Sequence, residues 1–207
     1  MFHVKQFYNF SENVIKKFKI YQQILEKWQS KINLVSQSTL KDIFKRHFLD
    51  SAQLYPLIPK DAQNLLDLGS GAGFPALILA ILSQENSLPW SVIAIESDQR
   101  KCCFMSEVAR LCEVKMDIQN QRIEQVRGIK ADVITARALA DLKSLLDYSL
   151  PFIHKKSQLF FLKGQNIQSE IQEALEKYDF SYHLFQSQTD EKGQIIQIEQ
   201  LKVKDKK

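Results

Sequence analysis

The sequence predicts an α/β fold: a doubly wound, mostly parallel sheet with an antiparallel C-terminal hairpin and an N-terminal helical extension. Three observations predict it. After residue 60, short apolar runs alternate with helical segments, and a parallel connection needs a crossover, for which a helix is the usual solution. A glycine-rich turn stands directly after the first of those runs, where a strand must pass into a helix. The last two strand-like segments are joined by the polar turn 189–193, with no helix between them.

In chain order, the first element is a helix from Ser11 to Trp28. Its apolar residues Val14, Ile15, Phe18, Tyr21, Ile24, Leu25 and Trp28 recur at three-and-four spacing, lysines occupy the other faces, and Ser11 suits an N-cap. A second helix is expected from Thr39 to Tyr55 through Leu40, Ile43, Phe44, Phe48 and Ala52, ended by Pro56 and Pro59. Residues 1–60 thus form the expected helical extension, and 61–207 the sheet domain. Within the latter, apolar runs at 65–68, 92–95, 133–135 and 159–162 read as strands, and 75–84, 98–112, 141–150 and 167–178 as helices. Segments 181–186 and 194–203 form the hairpin.

The chain has 207 residues, 44% hydrophobic and 25% charged, which suits one globular domain with a modest extension and leaves disorder or a collagen-like repeat without support. The net charge of +4 is unevenly placed. Residues 1–60 hold ten Lys/Arg (Lys5, Lys16, Lys17, Lys19, Lys27, Lys31, Lys41, Lys45, Arg46 and Lys60) against four acids, a net of +6, and the remaining 147 residues a net of −2. Such asymmetry points to a polyanionic partner. Three cysteines, Cys102, Cys103 and Cys112, make an odd number without a CxxC pair, so a disulfide framework is not expected and a reducing cytoplasm is. Cys102 and Cys103 lie among Phe104, Met105 and Val108 and read as helix packing. His3, His47, His154 and His183 lack ligand spacing, so no metal is expected. The longest apolar run, 74–82, is far short of the roughly 20 residues that cross a bilayer, so no membrane is expected.

The turn Asp67-Leu-Gly-Ser-Gly-Ala-Gly-Phe-Pro75 carries the chemistry. A phosphate-binding P-loop would end in Gly-Lys-Ser/Thr, which is absent, and a dinucleotide site expects glycine where Phe74 stands. The spacing G-x-G-x-G (Gly69, Gly71, Gly73), with Ser70 inside it and Asp67 two residues ahead, resembles class I methyltransferases that bind S-adenosylmethionine. Glu96 ends the second strand 23 residues past Gly73, near the ~20 at which an acid meets both ribose hydroxyls; alone it would equally be a strand-end acid or a helix cap. Arg122-Ile123-Glu124 falls between the runs at 92–95 and 133–135, in the zone where such folds contact the adenine. No Asn/Asp-Pro-Pro-Tyr/Phe motif for exocyclic amines is present, and no cysteine stands where methylation at a base carbon needs a nucleophile.

The ordered set Trp28 with Asn33-Leu34, Arg46-His47 with Asp50-Ser51, 67–75, Arg100-Lys101 with Phe104, 122–124, Arg137-Ala138 and Leu162-Lys163-Gly164 resembles the ribosomal RNA small subunit methyltransferase G family, also called glucose-inhibited division protein B. The chain departs from the family pattern at Ala72 and Ala76, where Pro and Gly are commoner, and keeps the three glycines. The resemblance implies transfer of a methyl group from S-adenosylmethionine to N7 of a guanine in small-subunit (16S) ribosomal RNA. It also implies a cofactor site at Gly69, Phe74, Ile123, Glu124 and Arg137. Because N7 carries an unprotonated lone pair, this reaction needs alignment and electrostatic support but no general base. Arg137, just past the run at 133–135, is then placed to reach the cofactor carboxylate or guanine O6. Lys163, just past the run at 159–162, orients phosphate or base, or is simply a solvated lysine.

Helical spacing puts Arg46 over Asp50 and His47 over Ser51. The four either tie this helix to the sheet domain or roof the active site over the RNA, with Arg100, Lys101 and Arg122 as further RNA contacts. The expected partner is small-subunit RNA or the 30S subunit, met by a monomer. A small-molecule methyltransferase on the same fold, a non-catalytic ribosome-assembly factor and a nicotinamide oxidoreductase are the competing functions. The lysine-rich extension, the intact cofactor turn and Phe74, respectively, count against them.

Overall fold

The fold is that of a computed structural model, which describes residues 10–205. His3, Lys5 and the last two lysines lie outside the described residues. Seven strands, β1 (Asn64–Leu68), β2 (Ser91–Glu96), β3 (Asp117–Asn120), β4 (Val133–Arg137), β5 (Gln158–Lys163), β6 (Tyr178–Gln186) and β7 (Gln194–Val203), form one sheet in the order β3-β2-β1-β4-β5-β7-β6. All pairings from β3 to β5 are parallel, and β7 runs antiparallel to both β5 and β6. Consecutive residues face opposite sides of the sheet. Leu65, Val133 and Phe160 therefore join one core cluster, while Leu66, Ile134 and Phe161 join the other.

The helices divide accordingly. α5 (Leu142–Ser149) and α6 (Ile167–Lys177) cover the face of Leu66. The other face carries α3 (Ala76–Glu85) and α4 (Gln99–Leu111), with α1 (Glu12–Gln29) packed on both. α1 begins at Ser11, whose hydroxyl accepts from Val14 N–H, and it buries Val14, Phe18, Tyr21, Ile24 and Leu25. The chain from Ala76 through Ser83 is buried on every side, which its nearly uninterrupted apolar sequence foreshadows, because α3 lies between the sheet and the N-terminal segments.

The second N-terminal helix differs from expectation. In place of one regular helix over 39–55, the chain forms a 3-10 helix at Gln37–Asp42, a π-helix at Phe44–Leu49 and a single α-turn, α2 (Asp50–Ala52). A π-turn holds an extra residue, and here the successive side chains His47, Phe48 and Leu49 are all buried. Phe48 packs edge-on against Phe18 and Phe74. β3 is short, polar and at the sheet edge, and so left only a faint trace in the pattern. β6 starts at Tyr178, directly after α6, three residues before the expected strand.

Candidate active site

β1 lies at the switch point of the sheet, flanked by β2 and β4, and the crevice beyond the carboxyl ends of such strands is where ligands bind in open α/β folds. The glycine turn fills that position. Gly69, Gly71 and Gly73 have φ of 63°, 57° and 84°, which side chains with a Cβ rarely adopt. A Cβ on Gly69 would meet Leu139 Cδ1 at 2.5 Å, and one on Gly73 would meet Leu77 Cδ1 at 2.4 Å. At Gly71 the space is open, with only Gly69 O at 3.9 Å. The first and third glycines let protein pack against the turn, and the middle one keeps a path clear for a ligand.

That path is a cavity of about 390 Å³. Its wall includes Gly69, Ser70, Gly71, Phe74, Glu96, Lys101, Arg122, Ile123, Glu124 and Arg137. Glu96 is held by two main-chain donors: Gly71 N–H to Oε2 at 2.9 Å and Asp98 N–H to Oε1 at 2.8 Å. Its carboxylate is thereby fixed facing the cavity with lone pairs to spare. Ile123 and Glu124 sit on a 3-10 turn across from it. Glycine backbone, an orienting acid, an arginine and an aromatic ring suit the nucleoside and zwitterionic amino-acid ends of S-adenosylmethionine.

Three of the expected residues line neither this cavity nor the one beside it. Gly73 lies inside the turn. Arg100 is exposed and paired with Asp98 at 3.1 Å. Asp67 is fully buried under the turn, where Thr135 Oγ1 donates to its Oδ1 at 2.7 Å and Oδ2 has no partner. Burial raises the Asp67 carboxyl from 3.8 to about 6, and the hydroxyls of Ser70 and Thr135 and the Arg137 charge pull it only partway back.

A second cavity, of about 490 Å³, adjoins the first, and the two share Leu34, Arg137 and Ala138. Arg137 is the partition. Its guanidinium lies 5.0 Å over the Phe74 ring, and it donates to Asp50 Oδ2 at 3.3 Å, to Arg46 O at 3.1 Å and to His47 Nδ1 at 2.7 Å. Ala138 beside it has φ of 52°, a strained conformation at the meeting point of the cavities. Lys163 opens onto the second cavity, bonded to Glu170 Oε2 at 2.6 Å and to Ala140 O at 2.8 Å. Arg46 and His47 also line it.

The local pairing expected within 46–51 does not form. Arg46 instead reaches Asp190 at 2.8 Å, Asp50 takes Arg137, Gln53 and Thr189, and the buried Ser51 hydroxyl has no partner. These bonds tie the π-helix segment to the loop after β6, a link of more than 130 residues along the chain. With Nδ1 accepting from Arg137, the other ring nitrogen of His47 donates to Thr39 Oγ1 at 2.8 Å. Burial, then the Arg137 and Arg46 charges, lower the imidazole from 6.5 to about 3, so it is neutral.

Sequence reasoning missed Tyr21, Asp50 as the Arg137 anchor, and the second cavity's Thr189, Glu170 and Gln194. Tyr21 reads as one more apolar face residue, yet its hydroxyl donates to Ala72 O and its ring stacks on Phe74 at 5.0 Å. A hydroxyl on an otherwise apolar buried face was the available signal, since such a group needs a partner.

Comparison with known proteins gives a consistent result. Residues 14–197 match the family model described as rRNA small subunit methyltransferase G. A ribosomal RNA small subunit methyltransferase G from Paramagnetospirillum magneticum is 40% identical over 191 residues, 92% of this chain and 91% of that protein. Its counterpart from Orientia tsutsugamushi (strain Ikeda) is 44% identical over 191 residues, 92% and 93% of the two chains. Among solved structures, the plantazolicin methyltransferase BpumL in complex with SAH superposes with a TM-score of 0.57 at 15% identity, covering 93% of this chain and 98% of that one. A tRNA methyltransferase from B. subtilis gives a TM-score of 0.55 at 17% identity, covering 75% and 66%. At such identities the structures show a shared fold. Among the described residues no group of side chains suits a metal ion, and no helix is long and apolar enough to cross a membrane.

Proposed function

The chain belongs to the rRNA small subunit methyltransferase G family and is an S-adenosylmethionine-dependent methyltransferase of small-subunit (16S) ribosomal RNA, and we propose that the atom it methylates is N7 of a guanine. One observation carries the choice of atom: where the two cavities meet, the titratable groups are already engaged. His47 uses both ring nitrogens, and Asp50 spends both oxygens on Gln53, Thr189 and Arg137. Both side chains are committed to bonds within the protein. An acceptor that must first be deprotonated is poorly served here, whereas guanine N7 attacks through a lone pair it already has.

When bound, S-adenosylmethionine supplies an electrophilic methyl group on a sulfonium. The protein's part is placement. Gly69, Ser70, Gly71 and Phe74 would hold the cofactor from below, and Glu96, fixed by the Gly71 and Asp98 amides, would orient the ribose hydroxyls. Ile123 and Glu124 bracket the adenine, with Lys101 and Arg122 at the rim. Arg137, braced by His47 and Asp50, presents fixed donors between cofactor and acceptor, so alignment costs little reorganisation at the moment of transfer. Lys163 adds positive charge on the acceptor side. The exposed Lys16, Lys19, Lys27, Lys31, Lys41, Lys45 and Arg46 give the N-terminal segments a basic surface for RNA phosphates, with Arg100 on the neighbouring exposed face. This reading places the enzyme in the cytoplasm as a monomer, with residues 1–60 as an RNA-facing extension of the cofactor domain.

The test is incubation with methyl-labelled S-adenosylmethionine and small ribosomal subunits, followed by nuclease digestion and identification of the labelled nucleoside. The expected product is 7-methylguanosine from one position. Label on another nucleoside overturns the N7 assignment, and label confined to a small metabolite hands the reaction to a small-molecule methyltransferase.

A further inference from the structure

Tyr21 stands midway along α1, whose exposed face carries lysines, yet its own side chain is fully buried and reaches the glycine turn. The hydroxyl donates to Ala72 O, and the ring stacks on Phe74 at 5.0 Å with an interplanar angle of 12°. Ala72 and Phe74 line the first cavity and Tyr21 does not, so it supports that wall from behind. The support falls where the turn is least constrained. Ala72 lies between Gly71 and Gly73, both at positive φ, and glycine has the widest choice of alternative backbone conformations. A Cβ on Gly73 would stand 3.0 Å from the Tyr21 hydroxyl, so α1 packs against bare backbone.

α1 is itself tied down along its length, which gives the hydroxyl a fixed place. At its start, Ser11 and Asn13 donate to Glu85 at the end of α3, the latter at 2.6 Å. Further on, Lys17 O accepts from Cys112 Sγ at 3.4 Å, and Trp28 Nε1 donates to Glu107 of α4 at 2.8 Å. Burial holds the phenol well above its usual range, so it stays a donor.

We infer that α1 is part of the cofactor site, with Tyr21 as the positioning residue that holds Ala72 and Phe74 in the shape that receives S-adenosylmethionine. This rests on the reading that the first cavity takes the cofactor, and it gives the basic N-terminal helix a second role beside RNA contact. A turn that keeps its receptive shape only part of the time binds more weakly in proportion to that fraction. The Tyr21 bond and stack keep it in that shape before the ligand arrives. Phe74 in turn lies 5.0 Å under the Arg137 guanidinium, so the same stack runs from α1 to the arginine between the cavities.

Tyr21→Phe removes the hydroxyl and keeps the ring. Affinity for S-adenosylmethionine by calorimetry should fall about five- to tenfold, the scale of one lost hydrogen bond. In initial rates on small subunits, KM for S-adenosylmethionine should rise by the same factor. Both kcat and KM for the subunit should stay at wild-type values, because the support acts alike in the ground and transition states. Val14→Ala, in the buried face at the start of the same helix, is the structural control. It should lower the melting temperature at least as much as Tyr21→Phe and leave cofactor affinity unchanged. Wild-type affinity in Tyr21→Phe, a fall in its kcat with KM unmoved, or an equal loss of affinity in Val14→Ala overturns the positioning role. Gly71→Asp separates that failure from failure of the cofactor site. Affinity retained there removes the site and the role of Tyr21 together, whereas affinity lost there and kept in Tyr21→Phe removes Tyr21 alone.

Discussion

Asp67 is a carboxylate that the folded protein would rather hold neutral, and replacing it by asparagine should stabilise the protein at neutral pH. Its side chain is fully buried, Oδ2 has no partner, and its pKa is raised from 3.8 to about 6, chiefly by burial. The folded state therefore binds the proton more tightly than the unfolded chain does. The contribution of Asp67 is fully present below pH 3.8 and is lost as pH rises through about 6. At 1.36 kcal/mol per unit, the loss amounts to about 3 kcal/mol at pH 7, undiminished by solvent screening at a fully buried site. An asparagine side chain is close in shape to the protonated acid and can still accept from Thr135 Oγ1 at the position of Oδ1. Urea unfolding of both proteins, from pH 3.5 to 7.5, measures the difference directly. Wild type and Asp67→Asn should be nearly equal at the acid end and diverge by about 3 kcal/mol at the neutral end. A gap that is the same at every pH, or a variant less stable at pH 7, would refute burial as the cause of the shift.

Gly71→Asp introduces a carboxylate into the open space of the first cavity, beside Glu96, at a φ that aspartate tolerates better than most residues. The fold should persist by circular dichroism while affinity for S-adenosylmethionine falls by about 100-fold or more, the scale of an unpaired buried charge; retained affinity in calorimetry sinks the cofactor site. His47 has its folded pKa lowered from 6.5 to about 3, so its contribution to stability is present above pH 6.5 and is lost progressively as pH falls toward 3. His47→Gln should flatten that part of the stability profile, and an unchanged acid dependence in urea melts would contradict the neutral, Arg137-bound imidazole. Affinity for small-subunit RNA should fall about tenfold or more between roughly 50 and 200 mM salt, through release of counterions from the phosphates. A flat salt response in filter binding removes the N-terminal lysines from recognition.

Several features were legible because they depend on neighbours in the chain. Alternation of apolar runs with helical periods predicted β1, β2, β4 and β5 and the helices between them. The G-x-G-x-G turn and Glu96 were readable because a strand end, a tight turn and a helix start fall within a few residues, and the structure brings both to one cavity. The regular helix expected over 39–55 failed for the opposite reason. Spacing of apolar residues does not reveal a π-turn, here the segment that buries His47, Phe48 and Leu49 and sets Phe48 against Phe18 and Phe74. Likewise, a solvent-facing lysine and the Lys163 ion pair with Glu170 look the same in one dimension.

By itself the sequence determined the α/β class, the glycine turn, the acid that follows it, the arginine at the end of β4 and the family. All rest on short-range backbone requirements or on residues in a fixed order. Only the tertiary structure decided that Arg137 divides two cavities, that Asp67 supports the turn from beneath, and that Arg46 and Asp50 hold the loop after β6. The second cavity draws on Thr39, His47, Lys163, Glu170, Thr189 and Gln194, which come from six separate segments. The forces that assemble it, hydrophobic burial on the sheet face and hydrogen bonds between distant segments, act through space and leave no periodic mark along the chain.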